Sequence, residues 1–462
     1  MGKVYLYDTY TAGRVELVPP RQVKIYVCGV TVYDLSHIGH ARVFIVFDIL
    51  RRFLERNGFS VIYVQNFTDI DDKIIARASR EGVDYSQISN RYIEEYFRDS
   101  DALNIRRADI YPRATEHINE MVKIIKCLLE RGYAYRTSDG IYFSVDKFPN
   151  YGKLSKVKRD QLIAGARVNV NEDKRNPLDF ALWKFHDDTP FFETEIGRGR
   201  PGWHIECSAM IWKNLGETIT IHGGGEDLIF PHHENEIAQS ETFTGKKLSE
   251  IWMHVGLVKT GNEKMSKSLA NVFYIRDFMR AYGPNVLRVM LIQTHYRSQM
   301  SVSEDRISKA IETWKIIEEA MYNVRQPFGS GETDEGEIEA IINELKAAES
   351  ALADDLNTPE SLMHLVEASR RINKLQASTK LNPSAASRLG LFNDLTETFG
   401  FRLPQVSEDE ARLIEGLVSE RAALRSQRKY GEADEIRKRL LQMKVKLIDI
   451  GEKTYWRKVE VV

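Results

Sequence analysis

The string His37-Ile38-Gly39-His40 sets two imidazoles three residues apart, just after a β-rich run and at the start of a helical pattern. At that spacing both rings share one side of a first helical turn. The amides and macrodipole there favour an anion, and Gly39 lets a ligand approach the backbone. Such a site can hold nucleotide phosphates and donate hydrogen bonds to developing negative charge. A bare pair would better suit a solvated helix surface; the full four-residue string in this strand–helix context favours a site. More than 200 residues later comes Lys264-Met265-Ser266-Lys267-Ser268. Two ammoniums on a mobile loop can close over a triphosphate and neutralise charge at the reacting phosphorus. Either string alone is a weak signal, but the two together and in this order are a strong one.

A third constellation suits a metal. Cys28 ends the first strand, Cys207 lies in Gly202-Trp203-His204-Ile205-Glu206-Cys207, and Pro231-His232-His233-Glu234-Asn235-Glu236 opens a helix. Two thiolates, an imidazole and a carboxylate make a zinc set. Spacing allows His232 with Glu236, four apart, or His233 with Glu236, three apart. It also allows two small buried thiols beside a surface His/Glu pair. Cys127, amid Ile124, Ile125, Leu128 and Leu129, reads as a packing residue.

The elements that must position these groups are legible in outline. Val23 to Val27 reads as a strand, Ile38 to Leu54 as a helix stopped at Asn57-Gly58, and Phe59 to Val64 as a second strand. Such a βαβ unit implies parallel pairing. It carries neither the Gly-rich dinucleotide fingerprint nor a P-loop. Thr115 to Arg131 reads as an amphipathic helix, and Glu193 to Trp203 as loop. Thr218 to Ile221 reads as a strand, His222-Gly223-Gly224-Gly225 as a turn, and Pro231 as the first turn of a helix running to about Ser240. From Ser303 the chain reads as helical, interrupted at Gln326 to Glu339. A further helix starts with Thr358 as N-cap and Pro359 at its first position.

Composition bounds the rest. The chain has 462 residues, 42% of them apolar, a net charge of −2 and three cysteines. A chain of this make-up buries a real core and is not mostly disordered. No stretch is long enough to span a bilayer, no signal core opens the chain, and three cysteines make no disulfide framework. A cytoplasmic protein without a membrane is expected. Charge is uneven: Arg421 to Val462 holds 12 Lys+Arg against 6 Asp+Glu, with Tyr430, Tyr455 and Trp456 among them. That suits an RNA backbone and unstacked bases, and suits a solvated helix face equally well.

The two strings are those of class I aminoacyl-tRNA synthetases, and the chain resembles the cysteinyl-tRNA synthetases from about residue 4 to about 458. The resemblance rests on Tyr26 through Asp34, Asn66 through Lys73, Gly165-Ala166-Arg167-Val168, Gly202 through Met210, Phe230 through Glu236, and Asp354 through Pro359. It implies an α/β fold: a Rossmann-like parallel-sheet catalytic domain (1–300) with an insertion at about 95–200 and a mobile lysine loop at 260–270. An α-helical bundle domain (301–405) and a small basic anticodon-binding unit (406–462) follow. By resemblance the zinc ligands are Cys28, Cys207, His232 and Glu236, one Zn²⁺ per subunit, which selects His232 over His233. His37, Gly39, His40 and Lys267 would contact ATP, with Lys264 beside them and Mg²⁺ on the phosphates. Gly224 and Asp227 fall near the adenosine. Gly29, Thr31, Thr68 and Trp203 fall around the amino acid.

The implied reaction is ligation of L-cysteine to tRNA(Cys) through a cysteinyl-adenylate, by a monomer, without an editing domain. The insertion is short for a hydrolytic domain. The C-terminal unit departs from the family, with Ile450-Gly451-Glu452-Lys453-Thr454 in place of a Pro- and Gly-containing turn. Two rivals differ in kind. A ligase joining cysteine to a sugar-like amine would not need the basic tail. A non-catalytic RNA-binding descendant should have lost a ligand or a signature residue, and none is missing.

Overall fold

The computed structural model describes residues 3–18, 22–156, 173–260, 263–264, 273–450 and 453–460. Its contacts divide the chain into two compact units. One comprises Met1–Ile275, His295–Ser301 and Ala353–Asn357, and the other Arg276–Thr294, Val302–Leu352 and Thr358–Val462.

The first unit is built on four parallel strands: β1 (Val23–Thr31), β2 (Val61–Thr68), β3 (Ile219–Gly225) and β4 (Ser249–Val255), in the order β4-β3-β1-β2. Val23, Ile25, Tyr26 and Val27 are all buried, the near-continuous apolar run expected of a strand covered on both faces. Helix α1 (Ile38–Arg56) buries Ile38, Ala41, Phe44, Ile45, Ile49 and Phe53. It stops at Asn57-Gly58, where Gly58 takes a φ of 81°. β2 lies on one side of β1 and β3 on the other, so the strand order reverses at β1. In open parallel sheets a ligand crevice opens at the carboxyl ends of the strands flanking such a point.

The insertion holds a four-stranded antiparallel sheet in chain order: Ala134–Arg136, Gly140–Phe143, Phe180–Phe185 and Gly199–Pro201. Its Ile141, Phe143 and Trp183 share one apolar core with Ile205 and Met210 of helix α2 (Trp203–Leu215), and that core reaches Cys28 and Cys207.

Several expectations are corrected here. His222 to Gly225 is not a turn but the end of β3, paired with Trp252 to Val255 of β4. Glycine is required inside this strand because a Cβ on Gly223 would lie 2.0 Å from the Phe47 ring. Gly199–Pro201, within the stretch read as loop, is an edge strand that Pro201 can join because it needs no donor on that side. After β3, Ile229–His233 forms a wide turn leading into helix α3 (Glu234–Thr244). Thr358 is the first residue of the helix Thr358–Ala377, and its hydroxyl donates to Ile292 O at 2.9 Å.

The second unit is helical, with Pro284–Ile292, Glu304–Arg325, Glu335–Ala353 and Thr358–Ala377 as its main helices. It ends in helices Glu408–Ser426 and Tyr430–Gln442 and a hairpin, Val445–Ile450 with Lys453–Lys458, that sequence reasoning missed. Ile414, Leu417, Leu440 and Val445 form a small core of their own there. Some of the basic residues serve this fold. Arg421 and Arg425 pair with Asp449, Lys458 pairs with Glu410, and Arg457 is buried against Asn323. Trp456 packs on the small core and Tyr455 stacks on Phe328, leaving Tyr430 exposed.

Candidate active site and metal centre

The His37/His40 pair sits at the carboxyl end of β1, where α1 begins. The two residues cap the helix reciprocally. His40 N donates to His37 Nδ1 at 3.3 Å, and His37 N donates to His40 Nδ1 at 3.4 Å. Their rings stack 3.7 Å apart. Capping through Nδ1 makes each Nε2 the protonated nitrogen of a neutral ring. Gly39 has a second reason to be glycine: a Cβ there would lie 2.9 Å from the His37 ring. Lys264 occupies a short strand paired with Lys259. Lys267 and Gly165 to Val168 lie outside the described residues. The chain returns beside the histidines, where Ile38 N donates to Phe273 O and Ile275 N to Ser36 O.

Cys28 on β1, Cys207 on α2, and His232 and Glu236 at the head of α3 converge, with ligand atoms all within 4.8 Å of one another. Tetrahedral zinc with Zn–S bonds of about 2.3 Å sets two sulfurs about 3.8 Å apart and a sulfur about 3.6 Å from a carboxylate oxygen. Cys28 Sγ is 3.8 Å from Cys207 Sγ and 3.7 Å from Glu236 Oε1. His232 Nε2 meets Glu236 Oε1 at 3.0 Å. A second four-donor set, Cys28, His222, His233 and Glu236, overlaps the first. There Cys28 Sγ is 3.3 Å from His233 Nε2, and His222 Nε2 is 2.8 Å from Glu236 Oε2. Those separations are shorter than the edges of about 3.4–3.6 Å that zinc needs, as is the 3.0 Å edge between His232 and Glu236 in the first set, so the donor types decide: the second set offers one soft thiolate against two. The first set is the better zinc site.

The groups are held from behind. His232 Nδ1 meets His204 Nδ1 at 2.9 Å, and Trp203 stacks on the His232 ring at 4.3 Å. His233 Nδ1 meets His254 Nε2 at 2.8 Å, and His254 Nδ1 meets Thr9 Oγ1 at 2.8 Å. Partners of this kind fix the tautomer and ring orientation of ligand histidines. Five of the 11 histidines gather here: His204, His222, His232, His233 and His254. Sequence reasoning missed His204, His222 and His254, though two of them stand inside motifs already singled out.

The charges are shared as a site built for a dication would share them. Burial disfavours the His232 imidazolium, yet Glu236 and Cys207 overcome it and raise its pKa to about 10. Burial likewise opposes the Glu236 carboxylate, but His222 and His232 hold it down at about 2. A hydrogen bond from Cys28 draws Cys207 down to about 6, while burial and that same neighbour push Cys28 well up. A bound dication would displace these protons and make both thiols thiolates.

Around this cluster, Thr31 and Thr68 face each other at the ends of β1 and β2, and Thr68 Oγ1 donates to Glu206 Oε2 at 3.1 Å. Gly29 is required by the neighbouring strand, since a Cβ there would lie 1.7 Å from Asn66 O. Gly224 and Asp227 lie at and just beyond the end of β3, on the other flank of the switch point.

Known proteins agree with this architecture. Residues 14–312 match the family model of the class I (C) tRNA synthetase catalytic domain, and residues 347–403 match the DALR domain. Mycobacterium tuberculosis methionyl-tRNA synthetase in complex with methionyl-adenylate superposes with a TM-score of 0.59 at 15% identity, over 82% of this chain and 90% of its own. The parallel sheet with its switch-point histidines thus defines a class I aminoacyl-tRNA synthetase. The cysteine–tRNA ligase of Thermococcus gammatolerans is 44% identical over 99% of this chain and 100% of its own length. That of Aquifex aeolicus is 42% identical over 98% and 99%. The chain belongs to the cysteine–tRNA ligase family.

Proposed function

We propose that the protein activates L-cysteine with ATP as cysteinyl-adenylate and passes the cysteinyl group to tRNA(Cys), with Cys28, Cys207, His232 and Glu236 placed to hold a zinc ion that would select the substrate thiol. The observation that carries this reading is the convergence of Cys28, Cys207, His232 and Glu236 on β1, the strand that leads into the His37/His40 cap. The substrate carboxylate attacks the α-phosphorus of ATP in line, the bond to the β-phosphate oxygen breaks, and pyrophosphate leaves. His37 and His40 donate hydrogen bonds to the charge that builds on the phosphate. Lys264 and Lys267 neutralise the rest, and Mg²⁺ on the phosphates would supply further positive charge there. Gly224 and Asp227 flank the adenosine. Thr31, Thr68 and Trp203 hold the amino acid, with Trp203 fixed by its stack on His232. The terminal ribose hydroxyl of the tRNA then attacks the activated carbonyl carbon, and AMP leaves.

Bound through Cys28, Cys207, His232 and Glu236, Zn²⁺ would supply a soft Lewis acid that takes a thiolate well and a serine hydroxyl poorly. A site that requires one specific ligand atom discriminates by orders of magnitude in a single step, so no editing domain is needed. The protein works as a cytoplasmic monomer with one zinc, and residues 406–462 form its anticodon-binding unit. Among the described residues no helix is long and apolar enough to cross a membrane. Transfer to a sugar-like amine is the rival, and the basic C-terminal unit argues against it. Zinc-replete protein should catalyse cysteine-dependent ATP–pyrophosphate exchange and charge purified tRNA(Cys). No exchange would refute the adenylate reading, and exchange without charging would favour the rival acceptor.

A further inference from the structure

The cleft beside the candidate site carries a charge pattern that amino-acid activation does not use. Lys184 and Arg200 stand directly opposite each other on neighbouring antiparallel strands of the insertion sheet. Like charges in that relation are destabilising, so the pair calls for an anion. Asp72 fills the place, 3.1 Å from Arg200 Nη1 and 3.7 Å from Lys184 Nζ. Its side chain is 70% exposed, however, and so exposed an ion pair is weak and readily exchanged.

Asp71, Asp72, Lys184, Arg200, Trp203 and Glu206 line one surface cleft. Trp203 is 42% exposed and stacks on His232 with one face. Glu206 ties the cleft to Thr68. The cleft therefore opens a single side chain away from the proposed cysteine site, and none of His37, His40, Gly224 or Asp227 lines it. Paired cations and an exposed indole together suit a single nucleic-acid strand, with phosphates on the cations and a base on the aromatic face.

We propose that Lys184 and Arg200 bind backbone phosphates of the single-stranded 3′ end of the tRNA, with Trp203 as stacking platform, displacing Asp72 and leading the terminal ribose to the activated cysteine. This rests on the aminoacylation reading above and assigns the cleft within it. Lys184 and Arg200 take no part in the adenylation step, so cysteine-dependent ATP–pyrophosphate exchange isolates their role.

The test uses the full-length zinc-loaded protein with Lys184→Ala, Arg200→Ala, Arg200→Lys and Asp72→Asn. Exchange should be unchanged in all four. The Michaelis constant for tRNA in charging should rise about tenfold for each alanine variant. The slope of log KM against log salt should fall by about one per cation removed. Arg200→Lys should recover most of the loss, and Asp72→Asn should lower the constant because it frees the cations. A purely structural ion pair predicts the reverse for Asp72→Asn. Lys184 is 48% exposed in its side chain, so Lys184→Ala reports even if Arg200→Ala harms folding. An unchanged constant for tRNA in Lys184→Ala, or exchange falling in step with charging, would overturn the assignment. Loss of exchange in the wild-type protein would instead overturn the adenylate reading.

Discussion

Cys207→Ser removes one of two sulfurs 3.8 Å apart and replaces it with a hydroxyl that stays protonated at neutral pH. Four-donor zinc sites bind with an apparent free energy of about 10–16 kcal/mol. Shared equally, each donor is worth about 3–4 kcal/mol, or about 100- to 1,000-fold in affinity. Competition with a chromophoric chelator at fixed pH should show a loss of that size. Cysteine-dependent exchange should need far more cysteine, and the preference for cysteine over serine should narrow. His233→Gln supplies the contrast, because His233 belongs only to the overlapping set with Cys28, His222 and Glu236. Zinc affinity should survive that change to within the 10- to 100-fold that a supporting residue contributes. Full zinc affinity in Cys207→Ser with depletion in His233→Gln would place the ion in the imidazole set and refute the assignment.

Other expectations follow from the same geometry. His40→Ala removes one proposed phosphate donor and one half of the α1 cap. The exchange rate should fall by about 100- to 1,000-fold and stability by about 1 kcal/mol, with the Michaelis constant for cysteine little moved. Glu318 is buried and, chiefly through that burial, its carboxyl is raised to about 7. Because the folded pKa lies above the unfolded value, its stabilising protonated form is fully present below about 4.5 and is lost as pH rises through 7. Glu318→Gln should therefore raise thermal stability at pH 8 by roughly 2–3 kcal/mol and do little at pH 4; equal midpoints at pH 8 would contradict this. Removing the tail is a poor test of RNA reading, because Glu460 Oε1 accepts from Asn285 N at 2.8 Å, at the head of Pro284–Ile292. Exposed Lys429, Arg437 and Arg439 have no ion-pair partner among the described residues. Changing all three to Glu should spare exchange and weaken tRNA binding, with a shallower salt dependence, and unchanged charging kinetics would remove this face from the interface.

The parts of the site that are legible in the sequence are those whose chemistry is local. A strand, a small turn and an amphipathic helix announce the His37/His40 position within one stretch of chain. Cys28, Cys207 and the His232/Glu236 pair stand out by residue type, yet spacing leaves His232 and His233 equivalent. The resemblance selects His232, and packing gives the two rings different neighbours: His232 faces the two-thiol set, while His233 turns to Cys28 and to His254. His222-Gly223-Gly224-Gly225 misleads for a related reason. These residues have poor strand propensity, but pairing on both sides and the Phe47 ring over Gly223 impose the strand. The basic tail shows the opposite error: its charge is legible, but part of it is spent on Asp449, Glu410 and Asn323 inside the fold. The pairing of Lys184 with Arg200 needs the sheet register and could not be read beforehand.

Zinc K-edge X-ray absorption, recorded with and without L-cysteine, reports whether the substrate sulfur enters the metal's shell. Two sulfurs at about 2.3 Å are expected in the zinc-loaded protein, a third when cysteine is added, and no change with serine. A coordination shell that stays the same when cysteine binds would contradict this expectation.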